Sequence, residues 1–255
     1  MSYAVMQSGP TPPSEEQLQS AFQEVPGLAA ADAGILGRDA YGVLLNGLEL
    51  VQASALQSAL ARHGIETEAV DEAALTDLPV PRQLTKVSFT PEALEIYDVM
   101  GRTFPLEWGQ IAIIAAGRVW LTDFISELVR KEMMRVGGRH GDYAPTVKVE
   151  KVTTEARNQH LLLEIITHGA AARYQVKADL PETLLLYQCL GERRSKDPVV
   201  NLCLFVQEMA RYAPQAALNY GAYKLCESGD AAFTYASKTA FYREITWLSW
   251  RRPPE

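Results

Sequence analysis

Residues 160–213 constrain the fold of this chain more than any other stretch, because strand and helix periodicities follow one another there with clear punctuation. HLLLEIITH (160–168) reads as a strand, Gly169 as a turn, AARYQVKA (171–178) as a second strand and ETLLLYQCL (182–190) as a third. In the second strand Ala172, Tyr174, Val176 and Ala178 alternate with Arg173, Gln175 and Lys177, the period of two that gives one buried and one wet face. After the polar break GERRSKD, Asp197 stands as N-cap and Pro198 as first helical residue of PVVNLCLFVQEMARYA. Val199, Leu202, Cys203, Val206, Met209, Ala210 and Ala213 form its apolar stripe, and Pro214 ends it. The expectation is a sheet closed by a capped helix.

Upstream, Ser2 to Gln7 read as a strand that Pro10, Pro12 and Pro13 cannot continue, since proline removes ladder donors. Ser14 with Gln17 makes a capping box ahead of Leu18, Ala21, Phe22 and Val25, and Pro26–Gly27 stop that helix. Two short strands, DAGILGR and YGVLLNGL, precede a helix from Glu49 to His63 closed by Gly64, and IETEAV supplies a last strand. This βαββαβ order is the ferredoxin-like plan and resembles the ACT-like and RNA-recognition families in topology. Likeness to ACT-like domains implies effector binding. An RNA-recognition sheet needs stacking aromatics and basic side chains, whereas Tyr3 and Tyr41 are the only aromatics in these strands and YGVLLNGL carries no Lys or Arg. Gly34, Gly37 and Gly42 match neither the dinucleotide fingerprint nor the P-loop and read as turn and bend glycines.

TDLPVPRQ (76–83) has the prolines and polar flanks of a linker. Beyond it KVSF, ALEIYDVM, TFPLEW and GQIAIIAAGRVWL read as strands, with turns at Gly101–Arg102 and near Gly117. TDFISELVRKEMMRVGG reads as a helix with Phe124, Ile125, Leu128, Val129 and Met133 on one side. Hairpins, further strands and a closing helix in that order resemble the pleckstrin-homology-like fold over residues 84–213. Two more helices follow, QAALNYGAYKLCESG and one capped by Ser237 with Phe241, Ile245 and Leu248 on its stripe; Trp247 and Trp250 supply burial. The fold class expected is therefore α+β: a ferredoxin-like domain (1–75), a linker (76–83), a mostly antiparallel PH-like β domain with its capping helix (84–213) and a C-terminal helical extension (214–255). LGERRS, NL, APQAALNYGAYKL and FYREITWL resemble the C-terminal part of a group of bacterial proteins with no known active site, which implies a bacterial origin.

A net charge of −7 works against attraction to phosphate backbones, so nucleic acid is disfavoured as a partner. Cys189, Cys203 and Cys226 are odd in number and sit in apolar patterns, which favours buried thiols over a disulfide framework. The N-terminus has no basic region followed by an apolar run, and the longest apolar run, Ile111 to Ala116, is far short of a membrane span. A cytoplasmic location is expected.

His160, Glu164 and His168 share one face of their strand, but residues four apart lie roughly 13 Å apart along it, too far for adjacent metal ligands. Arg139, His140, Asp142 and Tyr143 form the densest polar cluster in a loop, GGRHGDYAPT, and Arg193 with Arg194 could recognise an acidic group. These six are the candidate binding residues. The sequence contains no nucleophile elbow, HExxH or kinase motif set, so no catalytic residue, metal or cofactor is expected. The expected role is a non-catalytic protein that binds a protein or small-molecule partner. Two alternatives stand beside it: an enzyme with its site at the domain junction, using His140 and Asp142, and a membrane-surface protein acting through the helix at 122–136.

Overall fold

The computed structural model describes residues 1–9, 13–27, 34, 40–98, 100–136, 143–228 and 232–251; for 123–136, 143–154 and 181–185 it describes the backbone alone. The architecture is mixed α+β, with three sheets among the described residues. Met1–Val119 with His160–Glu255 form one compact unit, and Trp120–Gln159 form another.

At the N-terminus, β1 (Tyr3–Gln7) lies between β2 (Val43–Leu48) and β3 (Thr67–Asp71), antiparallel to both. Helix α1 (Glu15–Gln23) starts at the expected capping box: Gln17 N donates to Ser14 Oγ at 3.2 Å, and Ser14 N donates to Gln17 Oε1 at 3.1 Å. Successive residues of β1 face opposite ways. Val5 packs with Leu18 and Phe22 of α1 and with Leu56 and Leu60 of α2 (Leu50–Arg62), while Ala4 and Met6 pack with Val43, Val70 and the distant Trp247. The strand expected in DAGILGR lies outside the described residues except for Gly34.

The second sheet contains β5 (Lys86–Phe89), β6 (Ala93–Tyr97) and β7 (Thr103–Glu107), an antiparallel meander. The third has the order β11-β8-β9-β10-β4, from β4 (Arg82–Gln83), β8 (Ile111–Val136), β9 (Tyr143–Thr167), β10 (Arg173–Lys177) and β11 (Ala217–Leu218). Helix α3 (Pro198–Tyr212) begins as expected, with Val199 N donating to Asp197 Oδ1 at 2.8 Å and Pro198 in its first turn. It buries Leu202, Phe205, Val206 and Met209 against Leu161, Leu163 and Ile165 of β9 and Val176 of β10. Stacking of Trp108 on Tyr212, centroids 4.9 Å apart, ties β7's end to the end of α3.

Five local expectations are corrected. Residues 122–136 are not a helix but the continuation of β8, which removes the element that membrane-surface association required. Its neighbour in the sheet is β9, whose TVKVEKVTT is rich in β-branched residues, and pairing with such a strand overrides a helical pattern. Residues 182–190 form 3-10 turns within Pro181–Arg193, because β10 already has β9 on one edge and the parallel β4 on the other. No edge is left for a third strand.

Gly117 makes no turn; it lets the Tyr235 ring lie on β8, where an added Cβ would come within 2.5 Å of that ring. The helix expected from Gln215 begins later, as α4 (Tyr220–Ser228), because Ala217–Leu218 pair in parallel with Ile113–Ile114.

The face of β10 expected to be wet is also covered. Arg173 is 8% exposed and makes a bidentate pair with the fully buried Glu164, Nη2 to Oε1 being 2.7 Å. Gln175 Nε2 and the Tyr242 hydroxyl also donate to Glu164 Oε1, at 2.6 and 2.8 Å. The segment 76–83 is held to this network: Arg82 and Gln83 pair with Tyr174 and Gln175, and Arg173 Nη1 donates to Pro79 O at 3.4 Å.

Tyr242 belongs to α5 (Lys238–Arg251), which also supplies Trp247. Trp247 is buried, donates from Nε1 to Gln7 O at 2.7 Å, and leaves so little room at Gly42 that a Cβ there would come within 2.6 Å. Truncating this side chain opens a cavity under β1 and β2 and removes a hydrogen bond. Trp247→Ala is therefore expected to lower unfolding free energy by about 3–5 kcal/mol in urea denaturation. A loss below about 1 kcal/mol would mean that α5 does not seat the N-terminal sheet.

Candidate functional site

Four polar groups from separate parts of the chain meet where α4 begins. Asn219 caps that helix, its Oδ1 accepting from Ala222 N at 2.8 Å and, at the same distance, from Ala116 N on β8. The first helical turn approaches β8 so closely that a Cβ at Gly221 would lie 2.0 Å from Ala116 O. Only glycine fits there.

The Tyr235 hydroxyl completes the junction. It accepts from Asn219 Nδ2 at 2.7 Å and Gly221 N at 3.0 Å, and it donates to Glu244 Oε2 at 2.5 Å. Glu244 Oε1 accepts from Tyr220 N, also at 2.5 Å. The carboxyl thus occupies the N-terminal end of α4, where unpaired amides and the helix dipole favour negative charge.

Burial opposes that charge. Glu244 is 2% exposed, and desolvation pushes its carboxyl up to about 7, against the downward pull of its bonds from Tyr235, Tyr220 N and Asn219. Burial also raises the phenols of Tyr235 and Tyr41, and the nearby Glu244 charge adds to both shifts. Both tyrosines are therefore neutral hydrogen-bonding groups at physiological pH. A carboxyl near pH 7 hydrogen-bonded to a phenol can hold or release a proton under physiological conditions.

Beside Glu244 lies a cavity of about 840 Å³. Tyr41, Tyr220, Tyr223, Trp247 and Leu248 line it, with Ala216, Ala217 and Leu218 from the β11 segment and Arg251 from α5. Tyr41 and Tyr220 meet at 6.1 Å between centroids, tilted by 47°. On a different face of α5 a second cavity, of about 560 Å³, is lined by Arg173, Arg243, Glu72, Asp77, Thr239 and Tyr242 among others. Its basic and acidic groups are mixed, and Arg173 is already neutralised by Glu164.

Among the described residues, none of the six expected from sequence lines the cavity beside Glu244. Arg139, His140 and Asp142 lie outside the described residues; Tyr143 opens β9, with its side chain outside them. Arg193 pairs with Glu208 at 2.6 Å, and Glu208 also takes Arg211; Arg194 is exposed at the end of the 3-10 segment. Neither arginine lines the cavity. His160 Nδ1 sits 3.1 Å from Asp179, and Glu164 binds Arg173, so neither faces a metal with His168. Among the described residues no three His, Cys, Asp or Glu side chains are grouped to hold a metal ion. Glu244 was legible in one respect: it falls on the same helical stripe as Phe241, Ile245 and Leu248, and an acid on an apolar stripe is a buried acid needing partners.

Glu244 binds its proton more tightly in the folded chain, at about 7, than in the unfolded chain, at the ordinary value of 4.5. Its contribution to stability is therefore largest at low pH and is lost as pH rises through that interval. Relative to Glu244→Gln, the wild type is expected to lose about 3 kcal/mol of unfolding free energy between pH 4.5 and 7.5. A difference between the two proteins that stays constant with pH would refute the raised carboxyl. No family model, curated protein or solved structure matches this chain, so the chemistry of this cavity is the ground on which a function rests.

Proposed function

We propose that the chain is a non-catalytic binding protein that holds a small organic molecule in the cavity beside Glu244. The observation that carries this reading is the union of an aromatic recess of about 840 Å³ with a single buried carboxyl. Small-molecule sites are concave, mostly apolar and fixed by a few polar groups, and this one has both the size and the lining. Three free cysteines support a reducing compartment such as the bacterial cytoplasm, and among the described residues no helix is long and apolar enough to cross a membrane.

The ferredoxin-like reading of the N-terminal segment is supported by the antiparallel order β2-β1-β3 with α1 and α2 packed on one face. The PH-like reading is supported by the β5–β7 meander, the β9–β10 pair and α3 closing the core. A fold of either kind hosts many functions, so the ligand is argued from the cavity.

One observation favours a second reading, an enzyme that uses Glu244 as general base. A carboxyl at about 7 beside a phenol is tuned for proton transfer. Turnover of that kind would follow a pH profile with an inflection near 7 that Glu244→Gln abolishes.

Binding is tested with indole as a neutral aromatic probe in ligand-observed NMR. A dissociation constant below about 1 mM is expected, corresponding to more than about 4 kcal/mol of binding free energy. Tyr223 is half exposed, so Tyr223→Ala removes one wall without opening the core and should weaken binding about three- to tenfold. Failure of indole and of a panel of small aromatic fragments to bind would overturn the proposal.

A further inference from the structure

The charge inventory around Glu244 narrows the class of ligand, on the footing that the cavity is a binding site. From α4 come the Tyr220 and Tyr223 phenols, from the segment before β2 comes Tyr41, from the segment before α5 comes Tyr235, and from α5 itself comes Arg251. Among the described residues, Glu244 is the one acid that lines the cavity, and no histidine does. Arg251 is solvent-exposed, where its charge is screened, whereas the carboxyl is buried and acts through a medium of low dielectric.

The aromatic walls carry the same preference. Ring faces are negative, and the protein's own cations already rest on them: the Arg251 guanidinium lies 5.1 Å from the Trp247 centroid, and Lys224 Nζ lies 5.6 Å from that of Tyr220. Lys224 is also neutralised by Glu227 at 2.6 Å. An anionic ligand placed against Glu244 would bury two like charges together, and a neutral one would leave the hydrogen-bonded carboxylate without an opposite charge. A cation relieves both problems.

We propose that this cavity takes an organic ammonium ion, a primary or secondary amine carried on a flat apolar body. The ammonium sits against Glu244 and the body lies among the tyrosine rings and Trp247. The carboxylate accepts from Tyr220 N, from Tyr235 and from Asn219, and its two oxygens, with about four lone-pair sites between them, retain capacity for a further donor.

Three probes of one shape and different charge test this: tryptamine, indole and indole-3-acetate, titrated into the full-length protein by calorimetry at pH 8. Tryptamine is expected to bind at least about tenfold tighter than indole, and indole-3-acetate more weakly than indole. Because Glu244 must be ionised, lowering the pH from 8 to 6 should weaken tryptamine about tenfold while leaving indole unchanged. Glu244→Gln should erase both the preference and its pH dependence, and the wild-type series stands by itself if that variant does not fold. Indole binding as tightly as tryptamine would overturn the cation assignment and leave the binding site intact. No binding by any of the three would overturn the site and this inference together.

Discussion

The burial of Glu244 at the start of α4 is the constraint to which the C-terminal third of the chain answers. A carboxyl removed from water is costly unless donors surround it, and the donors here come from Tyr220, Tyr235 and Asn219. Each of those donors is itself held by something else: Asn219 by Ala116 on β8, and Tyr235 by the bare backbone of Gly117 and Gly221. The network therefore fixes a strand, a helix start and the C-terminal helix in one arrangement. The cavity beside it is a consequence, since bulky rings that surround a fixed polar group cannot also close over it.

Helix α5 carries a second buried ionic tie on a different face. Tyr242 donates to Glu164, which binds Arg173 and Gln175, and through Pro79 and Gln83 that cluster also holds the segment between the N-terminal strands and the rest. Losing one partner of such a pair would strand a buried charge, a cost of about 3–5 kcal/mol, so the cluster specifies position more than it adds stability. With Trp247 seated on β1 and β2, one helix near the end of the chain touches elements from its beginning and its middle. This is why residues 1–119 and 160–255 form one compact unit that includes the polar, proline-bearing segment 76–83.

Much of the local structure was legible beforehand. Ser14 and Asp197 cap the helices they were expected to cap, and the strand at 160–168 and its antiparallel partner stand where alternation placed them. The errors share one cause. ETLLLYQCL has strand composition but meets a β10 whose edges are both occupied, and 122–136 has helical spacing but neighbours a strand that recruits it. Of the candidate site, a reader of the sequence had only Glu244 on an apolar stripe as a sign, because its partners lie between 9 and 25 residues away and Ala116 of β8, which holds Asn219, is farther still.

The sequence by itself determined where helices begin, where proline and glycine stop them, and which residues alternate between core and surface, since these follow from backbone sterics and hydrogen bonding within a few residues. Tertiary structure alone decided which strand edges were free, that Arg173 lies in the interior and that an acid, three tyrosines and a tryptophan line one recess. Those outcomes depend on groups such as Gln7 and Trp247, 240 positions apart, meeting in space. The free energy of a buried charge is set by whatever surrounds it there, and no local pattern encodes that company.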